Sequence, residues 1–566
     1  MTERQWEVSA LPGEAEMAIR ERSRRSSSQF KEGCWPDLLV IGSGSAGVSA
    51  AIEAKKLGAS VVVVERSDIG GTCLNRGCLP SKYLLYRSAA ARVYRSAYEG
   101  VRAQSPAGIF EERPDLDDIQ NTKTTLIEEV REARYLGAAR SWKFEIFKGQ
   151  AEFVDPERVC VDGRLFCPYR VVVATGSRPS IPSIEGLEAV EYLTSDDVLS
   201  LRDIPQSCVV IGAGYVGLEL SQLLANLGCR VTVVGKVMPT AEPELAAALR
   251  DALTEVGIDF VESRAVRVEA PAESLPPPYS STEDDRAGSA PGKDDERLGS
   301  SRTRSPATAA ESPKLGKRGH PARKERLFGK AQGGSSSADR PSSEIAVVCE
   351  DGSVCYGERL IVATGRVANT EDMGLEKAGV ALDEDGSCLV DSSFRTSNPK
   401  IYAAGDAAKG PKFVYVAARQ GAAAAKAALE GRTGSIDYTG LPSVLFTDPQ
   451  LAQVGLTESE TKRRGLAAEA FLYDGSDVAR PKVERLSPVL VKLVVDAGSR
   501  RLLGIHVLAR GAGELAFPAS LAVGAGMAAE DLAEAWCPYL TLSEVLREAV
   551  RAYLDPEAGR PRPCCG

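Results

Sequence analysis

Short, uninterrupted apolar runs set the pattern of this chain. Leu38-Leu39-Val40-Ile41 has no polar position, as expected of a strand buried on both faces of a parallel sheet. Gly42-Ser43-Gly44-Ser45-Ala46-Gly47 follows and opens a helical stretch that Gly58 stops. Val61-Val62-Val63-Val64 is the next strand, and it ends on an acid, Glu65. The arrangement returns in Cys208-Val209-Val210-Ile211, Gly212-Ala213-Gly214-Tyr215-Val216-Gly217 and Val231-Thr232-Val233-Val234. Val173-Ala174-Thr175-Gly176 and Val362-Ala363-Thr364-Gly365 read as strand-to-loop crossings of the same kind. Ile401-Tyr402-Ala403-Ala404-Gly405-Asp406 ends a strand on an acid before another helix. These patterns predict an α/β class.

Strand, glycine turn, helix, strand and acid, in that order, form a dinucleotide-binding fingerprint. Gly42, Gly44 and Gly47 let the backbone approach a pyrophosphate, and the helix N-terminus stabilises its charge. Glu65 is expected to accept hydrogen bonds from a ribose diol. Gly212, Gly214 and Gly217 repeat the turn. Glu65 lies 18 residues after Gly47; the residue 18 after Gly217 is Gly235, followed by Lys236. A missing acid beside a cation suits a 2′-phosphate, so the second site is expected to take NADPH. Two Rossmann-like domains in one chain predict a bound flavin and a nicotinamide donor, with Asp406 holding the ribityl chain of FAD.

Between about Ala270 and Ser343 the periodicity collapses into Ser, Pro, Gly and charged residues. A loop of some 70 residues far exceeds the ~12–15 usual in a compact domain, so a disordered insertion is expected here. The basic run Lys314 to Arg326 reads as part of a solvated, mixed-charge loop. From about Leu441 the character changes: two apolar strands, Val489 to Val495 and Leu502 to Val507, precede an Ala-rich helix from about Gly513.

Composition narrows the function classes. The 566-residue chain is 43% hydrophobic, ordinary for a globular enzyme. A net charge of −9 argues against a general nucleic-acid or anionic-membrane binder. No apolar stretch is long enough to span a bilayer. The first 36 residues lack an apolar signal core and contain Glu3, Glu7, Glu14 and Glu16. A cytoplasmic protein with a disordered extension is expected, and an organelle address stays open.

The 13 cysteines are scattered, unlike the dense framework of a small secreted domain. Cys208 and Cys349, in apolar strand-like runs, read as reduced core residues. Cys73 and Cys78 differ: they sit in Gly70-Gly71-Thr72-Cys73-Leu74-Asn75-Arg76-Gly77-Cys78-Leu79-Pro80-Ser81-Lys82. At a helical start such a pair can come close enough for a disulfide, and the helix N-terminus lowers a thiol pKa. A second pair, Cys564-Cys565, stands on the proline-containing tail. Only two histidines exist. His320 lies in the insertion and His506 sits mid-strand, as a packed core histidine would.

From about Pro36 onward, the insertion apart, the chain resembles the class I pyridine nucleotide–disulfide oxidoreductases, the glutathione reductase and lipoamide dehydrogenase group. The resemblance implies that Cys73 is the interchange thiol and Cys78 the thiolate near the flavin. It implies that Lys82 and Glu219 pair beside the flavin's reactive edge and that Tyr215 covers the nicotinamide pocket. Ser67, Gly71, Thr72, Lys82, Thr175 and Val414 become FAD contacts, with Gly149-Gln150-Ala151 along the adenine, and Gly365 a nucleotide contact. The implied organisation has an N-terminal extension (1–36), an FAD-binding domain in two parts (37–195 and 369–440) and a nicotinamide domain (196–368) interrupted at 270–343. An α+β dimerisation domain (441–554) and a mobile tail (555–566) complete a homodimer-forming chain.

Disulfide-reducing members of this group carry a His-Pro-Thr segment with a nearby Glu as proton relay. Here Pro538-Tyr539-Leu540-Thr541-Leu542-Ser543-Glu544 stands in that place, with tyrosine for histidine. A soft metal ion needs no such relay, because it passes between thiolates by ligand exchange. The resemblance therefore narrows to the mercuric reductase family. The terminal Cys pair, the Pro-Tyr-Leu-Thr segment and the runs Pro411 to Ala418 and Phe446 to Gln450 carry it. It implies that Cys564 and Cys565 capture Hg(II) and pass it to Cys73 and Cys78 of the partner subunit. Tyr215 and Tyr539 would line the path. The chain departs from the pattern at the tail, which lacks a small residue before Gly566, and at Cys537. Two rivals remain: a thioredoxin reductase-like enzyme, which normally keeps the histidine, and a non-enzymatic thiol metal-binding flavoprotein, which has no need of two nucleotide sites.

Overall fold

The computed structural model describes residues 35–102, 115–271, 329–330, 344–431 and 435–555. The extension, most of the expected insertion, His320 and the tail with Cys564 and Cys565 lie outside the described residues.

The first apolar run forms the centre of a five-stranded parallel sheet, ordered Ile401–Ala403, Arg170–Val173, Leu38–Ile41, Val61–Glu65 and Glu145–Lys148. All four residues of Leu38–Ile41 are buried, as their unbroken apolarity requires. Helix Ser45–Lys56 packs on helix Val414–Glu430 through small residues. A Cβ at Gly421 would meet the Ala46 carbonyl at 2.0 Å, so the close approach depends on glycine there.

The second run centres another parallel sheet, ordered Ile258–Val261, Arg230–Val234, Ser207–Ile211, Arg359–Val362 and Tyr192–Leu193. Its edge strand lies upstream of residue 196, so the nucleotide sheet draws on chain assigned by sequence to the flavin domain. An antiparallel sheet of Ala265–Glu269, Ile345–Cys349, Ser353–Gly357 and Gly329–Lys330 packs beside it. Gly329–Lys330 falls within the expected insertion, yet pairs with Val354 and Ser353 at the sheet edge.

The C-terminal part is a five-stranded antiparallel sheet covered by helices Ala512–Gly524 and Glu544–Leu554. The α/β class predicted from periodicity and the C-terminal α+β unit implied by the resemblance are both present. No helix among the described residues is long and apolar enough to cross a membrane.

Candidate active site

A cavity of about 880 Å³ opens beside the C-terminal ends of the first sheet's strands, between the flavin-domain turn, the redox helix and the nucleotide-domain helix. It gathers most of the residues expected to hold a flavin nucleotide: Gly42, Gly44, Glu65, Ser67, Gly71, Thr72, Ala151, Thr175, Asp406 and Val414. Gly47 is not among its walls; a Cβ there would meet the Gly42 carbonyl at 1.9 Å, so it serves turn packing. Gly71 has φ +65° and approaches the Cα of Gly44 so closely that a Cβ would stand 2.7 Å away. The buried Thr175 hydroxyl finds no hydrogen-bond partner among the described residues. A glycine cradle, a lone hydroxyl and a long cavity fit a dinucleotide.

Glu65 is more occupied than its sequence position suggests. Its carboxylate accepts from the Ser43 amide (2.9 Å) and hydroxyl (2.7 Å) and from the Ser67 amide (2.8 Å). It therefore fixes the turn as well as facing the cavity. Asp406 accepts from the Ser177 hydroxyl at 2.6 Å, and Arg366 donates to that same hydroxyl at 2.8 Å. Ser43, Ser177 and Arg366 also line the cavity, and sequence reasoning did not single them out; only the cavity-side strand ends bring them together.

Cys73 and Cys78 share this cavity as free thiols. They do not share one helical start. Cys73 belongs to the short helix Gly71–Asn75, and Cys78 begins the long helix Cys78–Arg102 after a break at Arg76-Gly77. The Cys73 thiol donates to Cys78, and this bond, helped by the Lys82 charge and opposed by burial, lowers Cys78 from its ordinary 9.0 to about 7. The same hydrogen bond and burial push Cys73 up. One sulfur is thus a ready nucleophile near neutral pH and the other a proton reservoir.

Lys82 lies one turn along the redox helix. Its ammonium is 2.7 Å from Glu219, and 4.8 Å from the Phe446 ring centroid. The Phe446 amide donates to the other Glu219 oxygen at 3.0 Å. Tyr215 is tethered from the C-terminal sheet: its hydroxyl donates to Ser443 at 2.8 Å and accepts from Gln453 at 2.9 Å. Burial raises its pKa, so it stays a neutral phenol at physiological pH.

A second cavity of about 600 Å³ sits where the nucleotide sheet's strands end, lined by Gly212, Gly235, Lys236 and Thr364. Arg264, unforeseen in the sequence, lines it too. Gly214, Gly217 and Gly365 belong to the turns behind it; a Cβ at Gly217 would meet the Gly212 carbonyl at 1.9 Å.

Tyr539 is exposed and does not line its own chain's cavity. The nearby acid, Glu544, is buried and accepts from the Leu540 amide at 2.8 Å. His506 is a core residue, as expected, with its pKa lowered by burial to about 4.

Residues 36–286 and 327–421 match the model of the pyridine nucleotide-disulphide oxidoreductases, and residues 441–550 match that family's dimerisation domain. The chain is 34% identical to a mercuric reductase of Lysinibacillus sphaericus, over 94% of this chain and 84% of the relative. It is 34% identical to one of Streptomyces lividans, over 92% and 97%. A dihydrolipoyl dehydrogenase of Geobacillus stearothermophilus is 29% identical over 92% and 96%. Among solved structures, LpdA of Mycobacterium tuberculosis superposes with a TM-score of 0.70 at 24% identity, covering 91% of this chain and 99% of that one. At that identity it supports the fold alone.

Proposed function

The chain belongs to the class I pyridine nucleotide–disulfide oxidoreductases, with FAD and NADPH as cofactors, and on that premise we propose that it reduces Hg(II) to elemental mercury. The observation that carries the reading is Tyr539. It stands in the segment where a proton-relay histidine is expected, and the adjacent buried Glu544 binds backbone instead. A site with a poised thiolate and no relay base suits a substrate that changes ligands.

In this reading Cys564 and Cys565 of one subunit bring Hg(II) to Cys73 and Cys78 of its partner. The Cys78 thiolate displaces one tail sulfur; the Cys73 proton passes to the departing thiolate as Cys73 takes its place. Two Hg–S bonds form and two break. FAD and NADPH supply the two electrons when bound. Lys82, paired with Glu219, holds positive charge beside the thiolate, and Tyr215 shields the nucleotide side of the cavity. Lys236 and Arg264 provide the charge for a 2′-phosphate. Homodimer formation through residues 441–554 supplies the partner tail.

The test mixes the purified FAD-loaded protein with NADPH, excess monothiol and HgCl₂. NADPH oxidation with release of volatile mercury supports the reading. Turnover of thioredoxin or a small disulfide without mercury release overturns it. Replacing Cys564 and Cys565 by Ala is expected to slow turnover of thiol-bound Hg(II); full activity in that variant removes the tail from the route.

A further inference from the structure

Cys208 and Cys229 form a thiol pair that the redox chemistry does not use. Their sulfurs are 3.6 Å apart, and both residues are buried, at 1% and 5% exposure. They belong to an apolar cluster with Leu224, Val231 and Leu253. Cys208 stands near the start of strand Ser207–Ile211, at the end opposite the Gly212 turn. Three residues of strand separate it from that turn, roughly 10 Å of rise. Cys229 follows the Gly228 turn that ends the helix carrying Tyr215 and Glu219.

The placement disfavours a disulfide. The in-register partner of Cys208 is Val231, two residues beyond Cys229. Cys229 precedes strand Arg230–Val234 by one residue; with the strand continued back to it, an offset of two residues and one strand spacing gives a Cα separation of roughly 8 Å. Disulfides tolerate up to about 7 Å. A bridging ion asks for more room between the sulfurs. Two metal–thiolate bonds of about 2.3 Å in line set them about 4.6 Å apart, a spreading of about 1 Å from the observed position.

Charge and coordination number then select the ion. Two thiolates with a divalent cation make a neutral unit, the only kind that an apolar cluster accepts at low cost. A monovalent ion would leave a buried negative charge. A divalent ion that demands four ligands lacks them: among the described residues, no group of three or more His, Cys, Asp or Glu is placed to hold a metal.

We propose that Cys208 and Cys229 form a second, retaining site for a divalent, two-coordinate thiophilic cation of the Hg(II) class. The ion arrives as a bis-thiolate complex. Cys229, beside the turn, displaces the first thiolate and Cys208 the second. Each S–H proton leaves on a departing thiolate, two metal–sulfur bonds form, two break, and no electron moves. The bound ion bridges the strands on either side of the Tyr215 helix and stays oxidised, at the end of the sheet away from the cavity. This site does not rest on Hg(II) being the enzyme's substrate.

The test counts metal, not turnover. Full-length, FAD-loaded, reduced protein is equilibrated with HgCl₂ in excess cysteine without NADPH, desalted, and its mercury measured. A Cys208→Val/Cys229→Val variant is expected to retain one equivalent per chain fewer than the parent, and Cys229→Ala alone should lose the same equivalent. Equal counts overturn the proposal. NADPH-driven reduction of ferricyanide by each variant reports folding. In the unmodified protein, loading should also protect Cys208 and Cys229 from iodoacetamide after denaturation; alkylation of both in the loaded protein overturns the site without any variant.

Discussion

Lys82 and Glu219 meet at 2.7 Å across the junction between the redox helix and the nucleotide-domain helix, within the electrostatic reach of Cys78. The two charges act on that thiol with opposite sign: Lys82 lowers its pKa and Glu219 raises it. In the Lys82→Met variant the attraction is gone and the Glu219 charge is left uncompensated. Both changes raise the Cys78 pKa above its present value of about 7. A rise of one unit from about 7 leaves about fivefold less thiolate at neutral pH. The pH profile of iodoacetamide alkylation at Cys78 in the reduced protein should shift upward by at least about that much. Glu219→Gln should shift it downward. A profile indifferent to both variants would remove the pair from control of the thiol.

Tyr539 supplies a prediction about substrate class. Tyr539→His restores a titratable base next to Pro538 and within the same segment as Glu544. If proton supply is what bars disulfide substrates, turnover of a small disulfide with NADPH should rise by about 10²-fold or more, the usual worth of a positioned acid–base group. Hg(II) reduction, whose path Tyr539 is expected to line, should not rise with it. A variant still inert toward disulfides would locate the barrier elsewhere, in cavity shape or dimer geometry.

Sequence pattern made some of this molecule plain and concealed the rest, for physical reasons. Leu38–Ile41 and Cys208–Ile211 were readable as central parallel strands because burial on both faces leaves no polar position. Cys73, Cys78 and Glu65 stand out in the sequence because their chemistry depends on short spacing from a glycine turn, whereas Lys82 entered only through the family resemblance. Phe446, Ser443 and Gln453 lie more than 200 residues from the groups they bind, Glu219 and Tyr215, so no local spacing links them. Glu65 lines the cavity, and the hold that Ser43 and Ser67 have on its carboxylate depends on a loop geometry that the sequence does not display. The helix break at Arg76-Gly77 was invisible because C-x4-C spacing suits one helix or two.

Arg264 is a residue of that hidden kind. Counting from Gly217 reaches the end of the second strand, at Gly235-Lys236. Val234 pairs with Val261, and this register brings the end of the third strand alongside, with Arg264 on the same cavity wall. Each cation can make a charge-assisted contact to a 2′-phosphate, a bond type worth about 1.5–3 kcal/mol. Lys236→Ala and Arg264→Ala should each weaken NADPH binding about tenfold or more, measured by quenching of protein fluorescence. NADH binding should be nearly unaffected and the NADPH loss should shrink at high salt. Equal losses for both nucleotides would assign the two side chains a structural role.

His506, buried in the C-terminal sheet, makes stability pH-dependent. Its Nε2–H donates to the Leu456 carbonyl at 3.0 Å, its Nδ1 has no partner among the described residues, and Glu242 stands 3.9 Å away. Lys492, bound to Glu244 at 2.6 Å and Glu458 at 3.0 Å, adds a positive charge nearby. Burial is the main cause that lowers the imidazole from 6.5 to about 4. Below pH 6.5 the unfolded chain takes up a proton that the folded chain refuses. The stability contributed by neutral His506 is therefore complete above that pH and lost as pH falls toward 4. The slope is about 1.4 kcal/mol per pH unit, so lowering the pH to 5 removes about 2 kcal/mol. His506→Gln keeps a donor for Leu456 and cannot titrate. It should be less stable than the parent at pH 7.5, and its deficit in thermal unfolding temperature should shrink by several degrees at pH 5. A deficit that stays constant across that range would show that another group governs the acid response.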